Sequence, residues 1–148
     1  MSSSASHLGA YTKVDVETAS QGKLIVMLFN GAIKRAEEAK RQLESRSTES
    51  VHNNLIRAQD ILAELRGALN MKAGPIARDL DRLYEYFQHL LIQANINKAV
   101  EPIVECVGLM TEMRDTWQEL FETIAKEKPT IKAPAINQHG SAMINLQG

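Results

Sequence analysis

Val51-His52-Asn53-Asn54-Leu55-Ile56-Arg57-Ala58-Gln59-Asp60-Ile61-Leu62-Ala63-Glu64-Leu65-Arg66-Gly67-Ala68-Leu69 carries the clearest pattern in the chain. Val51, Leu55, Ala58, Leu62, Leu65 and Leu69 recur at alternating steps of four and three. A helix advances 100° per residue, so these side chains fall on one stripe. The near-heptad spacing is that of a helix lying lengthwise against other helices. A half-buried strand would alternate by two, and nothing here does. The spacing predicts a helix over 50–69.

The same pattern repeats on both sides. Downstream, Asn70 to Gly74 supplies turn residues, and Pro75 suits the first turn of a helix, where its missing N–H costs nothing. Residues 75–94 then present Ile76, Leu80, Leu83, Phe87, Leu90 and Ala94. Asn95-Ile96-Asn97 reads as the next break, with Asn97 as a cap. A fourth helix over 98–126 carries Val100, Ile103, Val107, Met110, Trp117, Phe121 and Ile124, with Pro102 in its first turn. Upstream, the polar run from Glu44 to Ser50 precedes the helix that opened the pattern. Before that run, Leu24, Leu28, Ala32, Ala36, Ala39 and Leu43 mark a helix over 20–44, with Thr18 or Ser20 as its N-cap.

Four amphipathic helices of similar length with short connections have one economical arrangement, an all-α, antiparallel up-down four-helix bundle. The expected organisation is an N-terminal segment over 1–19, a bundle over 20–126 and an unstructured tail over 127–148, where prolines and glycines replace any periodic face.

A chain of 148 residues has room for one domain with a real core. Lys+Arg 17 against Asp+Glu 18 leaves a net charge of -1. That balance argues against nucleic acid or an anionic membrane as partner, since both are bound chiefly through positive charge. Cys106 is the single cysteine, which excludes an internal disulfide and fits a reducing compartment. Met-Ser-Ser-Ser-Ala-Ser-His at the start lacks the basic and apolar regions of a secretory signal. No apolar run nears the ~20 residues of a membrane span. The expected location is the cytoplasm, without membrane insertion.

Bundles often hold metals, but the pattern needed is missing. Di-iron sites use two Glu-x-x-His pairs plus two further glutamates. Here Glu49-Ser-Val-His52 stands alone, at a helix start. His7, His52, His89, His139 and Cys106 have no zinc spacing. Cys106 lies beside the Ile103, Val107, Met110 stripe, as a small buried apolar residue would. Glu101 and Glu105 are one turn apart on a flank expected to be solvated. There is no phosphate loop and no nucleophile elbow. No catalytic residue, metal or cofactor is expected, and the chain is not read as an enzyme.

What needs explaining is the surplus of apolar residues. Leu24-Ile25-Val26-Met27-Leu28-Phe29 is unbroken, so its side chains point nearly all the way round a helix, whereas a surface helix needs only a stripe. Ile33, Ile56, Ile61, Ile92, Val104, Met113 and Leu120 add to it. Either the stripes are wide, with Tyr11 to Val16 folding back as a cover, or a groove receives another chain's helix or extended segment. Periodicity leads to a helical binding module and does not name the ligand.

The order of motifs resembles the flagellar export chaperone family, FliS, over about residues 10–124. The matching stretches are Ala10-Tyr11, Val16-Glu17-Thr18-Ala19-Ser20, the run from Leu24 to Ile33, Arg57 to Leu65, Gly74 to Tyr84, and Met113-Arg114-Asp115-Thr116-Trp117. Gln21 stands where the family has Pro, and Phe29-Asn30 where it has Tyr-Asp; the second change removes a hydroxyl and a carboxylate. The resemblance implies a cytoplasmic export chaperone. It would bind the disordered C-terminal segment of flagellin, prevent premature polymerisation and keep the client fit for the type III export gate. It implies contacts at Tyr11, Leu24, Ile25, Met27 and Leu28, with the N-terminal segment as a movable cover. A monomer and a weak homodimer both fit. The rival readings are a histidine phosphotransfer bundle using His89 and a structural homodimer.

Overall fold

The computed structural model describes residues 14–127, with side chains from Gln21 onward. Four α-helices fill them: α1 Val14–Glu44, α2 Thr48–Gly67, α3 Pro75–Asn97 and α4 Glu101–Glu127, with a short 3-10 turn at Met71–Ala73 between α2 and α3. Each helix packs against its neighbours in sequence, and α1 closes the ring against α4. The described part is an all-α four-helix bundle, without strands.

The connections explain where the helices stop. Between α1 and α2, Arg46 adopts a left-handed conformation and reverses the chain. Asn70 accepts a hydrogen bond from the Lys72 amide, starting the 3-10 turn. Gly74 follows at φ 109, a backbone region that side chains disfavour, and Pro75 opens α3 directly after it. The turn expected at Asn95–Asn97 lies further on. The helix runs through Asn97 and ends at left-handed Lys98, whose ammonium reaches back to the Asn95 carbonyl and side-chain oxygens at 2.7 Å. Asn97 is therefore the last residue of α3 and not a cap. At the other end, α1 begins at Val14, so Thr18 and Ser20 lie inside the helix.

The core forms where the stripes meet. On α2 the expected side chains Val51, Leu55, Ala58, Leu62 and Leu65 are buried. On α1 the buried line is Phe29, Ala32, Ala36 and Ala39; Leu24, Leu28 and Leu43 sit on its margin, half-buried. Three alanines let α2 approach α1 closely, and Gly31 lies under the Ile61 side chain for the same reason. On α3, Ala77, Tyr84, Phe87, Leu90, Leu91 and Ala94 are buried, whereas Ile76 is 62% exposed at the bundle end. On α4, Ile103, Cys106, Met110 and Trp117 are buried. Cys106 takes the core place expected of it, its thiol directed at the Phe87 carbonyl 3.5 Å away.

Polar links set the register between helices. Arg66 makes a two-pronged bond to Asp81, at 2.9 and 3.1 Å, and a third bond to Gln88, which in turn donates to the Gln59 carbonyl. Near the opposite end of the same helix pair, the Asn95 amide meets the ring nitrogen of exposed His52 at 2.9 Å. Together these tie α2 to α3 along most of their length.

Candidate functional site

Helix pairing places the site toward one end of the bundle. The antiparallel pairings Arg35 with Asn54 and Gly31 with Ile61 bring the end of α2, Gly67, near the level of Leu24. The Cys106–Phe87 and Tyr86–Glu105 contacts bring the start of α3 near the level of Trp117. Beyond those levels α1 and α4 continue together, past the ends of their neighbours. An open apolar groove of about 490 Å³ lies along them, lined by Gly22, Lys23, Val26 and Met27 of α1 and Gln118, Phe121, Glu122 and Ala125 of α4. Its size is that of a ligand-binding cleft.

A chain of aromatic rings holds its wall. Phe29 meets Tyr84 edge-on, with centroids 5.6 Å apart, and Tyr84 stacks on Phe87 at 6.0 Å. The Trp117 indole donates to the Tyr84 hydroxyl at 3.0 Å, both groups being buried. Trp117 then stacks on Phe121 at 5.5 Å. Burial pushes the Tyr84 phenol well above its ordinary pKa, partly offset by the indole hydrogen bond, so the hydroxyl stays neutral. The Phe121 ring lies directly over Gly22, where no side chain intervenes.

The expected binding residues divide among several surroundings. Met27 points outward, 56% exposed, and lines the groove. Ile25 lies two positions back along the helix and packs on the core. It borders a separate gap of about 20 Å³ with Leu65, Ala68, Leu69, Tyr84 and Trp117, a space for about one water. Leu24 is half-buried, and half-buried Leu28 packs against the core. Tyr11 lies outside the described residues. The expected contacts come from Tyr11 and from α1, whereas the groove also has a wall on α4. Phe121 falls on the expected core stripe of α4, and only the meeting of two helices shows its second face.

The other candidates for chemistry have structural surroundings. His89 is exposed and stacks on Tyr86 at 6.4 Å, while Leu90 and Leu91 after it are buried. Tyr86 donates to Glu105 at 2.6 Å, so that carboxylate serves a helix-to-helix link. Asn30, at the position where the resemblance implied a carboxylate, still accepts a bond from Arg114 at 2.9 Å. Among the described residues there is no group of three or more His, Cys, Asp or Glu able to hold a metal. No described helix is long and apolar enough to cross a membrane.

The family model described as flagellar protein FliS matches residues 4–124, most of the chain. The chain belongs to the FliS family. A FliS relative named as a flagellar secretion chaperone in Bacillus subtilis is 33% identical over 119 residues, covering 80% of this chain and 89% of its own length. The protein of that name in Salmonella typhimurium is 34% identical over 122 residues, covering 78% of this chain and 90% of its own length. The FliS of Vibrio cholerae is 30% identical over 118 residues, covering 76% and 87%. These FliS relatives are named as chaperones, not enzymes. The whole groove except Ala125 falls inside the FliS match.

Proposed function

We propose that this chain is a cytoplasmic flagellar secretion chaperone. It holds the C-terminal segment of flagellin, blocks its premature polymerisation and keeps it fit for the flagellar type III export gate. The observation that carries the reading is the apolar groove between α1 and α4, with Met27 standing into it exposed. A monomer gains nothing by leaving such a surface in water, whereas a helix or extended segment laid into it buries apolar area on both sides.

The physical task suits that surface. A client disordered in solution must be ordered on binding, at a cost of several kcal/mol, so contacts have to extend over a large area. Methionine, unbranched and polarizable, adapts to a segment that arrives without fixed shape. Contact by Leu24, Ile25, Leu28 and Tyr11, and a movable cover formed by the N-terminal segment, belong to the same proposal.

Met27→Asp tests it. Met27 is not part of the buried core, so far-ultraviolet circular dichroism should be unchanged, while co-purification with flagellin falls at least tenfold. Undiminished flagellin capture by a folded Met27→Asp protein would remove the groove from the reading.

A further inference from the structure

We infer that the α1–α4 groove has a second occupant within the same chain, the segment Ala142-Met143-Ile144-Asn145-Leu146, which competes with the client. The competition rests on the chaperone reading; the docking itself does not.

Position comes first. α4 ends at Glu127, one turn or less beyond Ala125, the last groove residue on that helix. The chain from there to the apolar segment, residues 128–141, can span at most ~46 Å. The α4 wall, from Gln118 to Ala125, is only ~10 Å long at the helical rise. The segment therefore reaches every part of the groove. Tethering so close gives an effective concentration in the millimolar range, enough for a weak contact to be well populated.

Chemistry is the second argument. Met143, Ile144 and Leu146 are the large apolar cluster of residues 128–148, in a groove-sized run without charge. Their surroundings in sequence are complementary to the end of α4. Residues 128–148 contain Lys128 and Lys132 and no acid, whereas α4 from Glu119 on has Glu119, Glu122 and Glu127 against Lys126. The C-terminal end of a helix is also the negative end of its dipole. Charge thus draws the linker lysines toward the end of α4, offset in part by Lys23 on the opposite wall, while the uncharged segment itself docks by burial. The family match stops at residue 124, so the occupant belongs to this chain's own extension.

The test uses the full chain with a nitroxide attached through Glu119→Cys, an exposed position beside the groove that does not line it; buried Cys106 stays unlabelled. Methyl signals of Met143 and Ile144 should lose most of their intensity, equally after tenfold dilution, and should recover at least twofold when Met27→Asp is added. Undiminished signals would overturn the inference. So would loss that disappears on dilution, the mark of a second copy in the groove, or loss at Leu8 instead, the mark of the N-terminal residues. Loss indifferent to Met27→Asp would also overturn it. In a second arm, Ile144→Ser should tighten flagellin binding two- to tenfold; unchanged affinity would refute competition. Should no flagellin bind at all, the chaperone reading fails while the nitroxide result still stands by itself.

Discussion

Gly22 lies so close beneath Phe121 that a Cβ on the glycine would stand 2.6 Å from the ring's Cγ, with two further ring carbons at 2.9 and 3.0 Å. No flexible tip is available to move aside, because the close atoms are the root and flanks of a ring already stacked on Trp117. The absence of one side chain on α1 sets the depth of the groove.

Gly22→Ala should therefore destabilise the protein, although alanine is the better helix former by roughly 0.5–1 kcal/mol. Overpacking costs about 1–3 kcal/mol and outweighs that gain. A lowered thermal midpoint is expected, reversed when Phe121→Leu is combined with it. A midpoint raised by Gly22→Ala alone would show that the ring yields freely.

Tyr84→Phe should cost about 1–3 kcal/mol, since it strands the buried Trp117 N–H without an acceptor. Denaturant unfolding measures the loss, and the near-ultraviolet circular dichroism of Trp117 should change while helix content stays the same. A variant as stable as the parent would mean that the indole finds another acceptor.

Alkaline stability follows from two buried acids. Burial raises the Cys106 thiol from 9.0 to about 12, with the Glu105 charge adding to it, and also raises Tyr84. Both are neutral when protonated, and the unfolded chain gives up these protons first. Their contribution is complete below about pH 9 and is lost as pH climbs toward 12. Cys106→Ala should flatten the fall in unfolding free energy that starts near pH 9. In the parent, a water-soluble disulfide reagent at pH 8 should react with Cys106 only after denaturant is added.

Arg66→Lys should cost about 1 kcal/mol despite keeping the charge. An ammonium cannot reproduce the two parallel bonds to Asp81 together with the third to Gln88. Asn30→Asp should work the other way, converting the Arg114 contact into a charged pair. At that exposed site the gain stays below about 1 kcal/mol and vanishes in high salt. Urea titrations of both variants at low and high salt separate the two effects.

Helix existence and the core face of α2 were legible in the sequence because both follow from a local period, and Val51 to Leu65 obey it without exception. Helix ends were less so. Asn97 looked like a cap, but the left-handed conformation falls on Lys98, which is held there by its bonds to Asn95. Leu28 looked like core and Phe29 did not, because a run of apolar residues has no period to choose between them. The aromatic partner Tyr84, far away in sequence, makes that choice.

Taken alone, the order of residues determined four amphipathic helices, their expected pairing into a bundle, and a family resemblance spread along the chain. Those properties depend on spacing and residue type, which a linear string contains in full. The groove was decided only in three dimensions. It exists because side chains of α1 and α4, far apart in sequence, meet along one seam and because Gly22 admits Phe121, and a relation between residues on opposite helices has no local period to announce it.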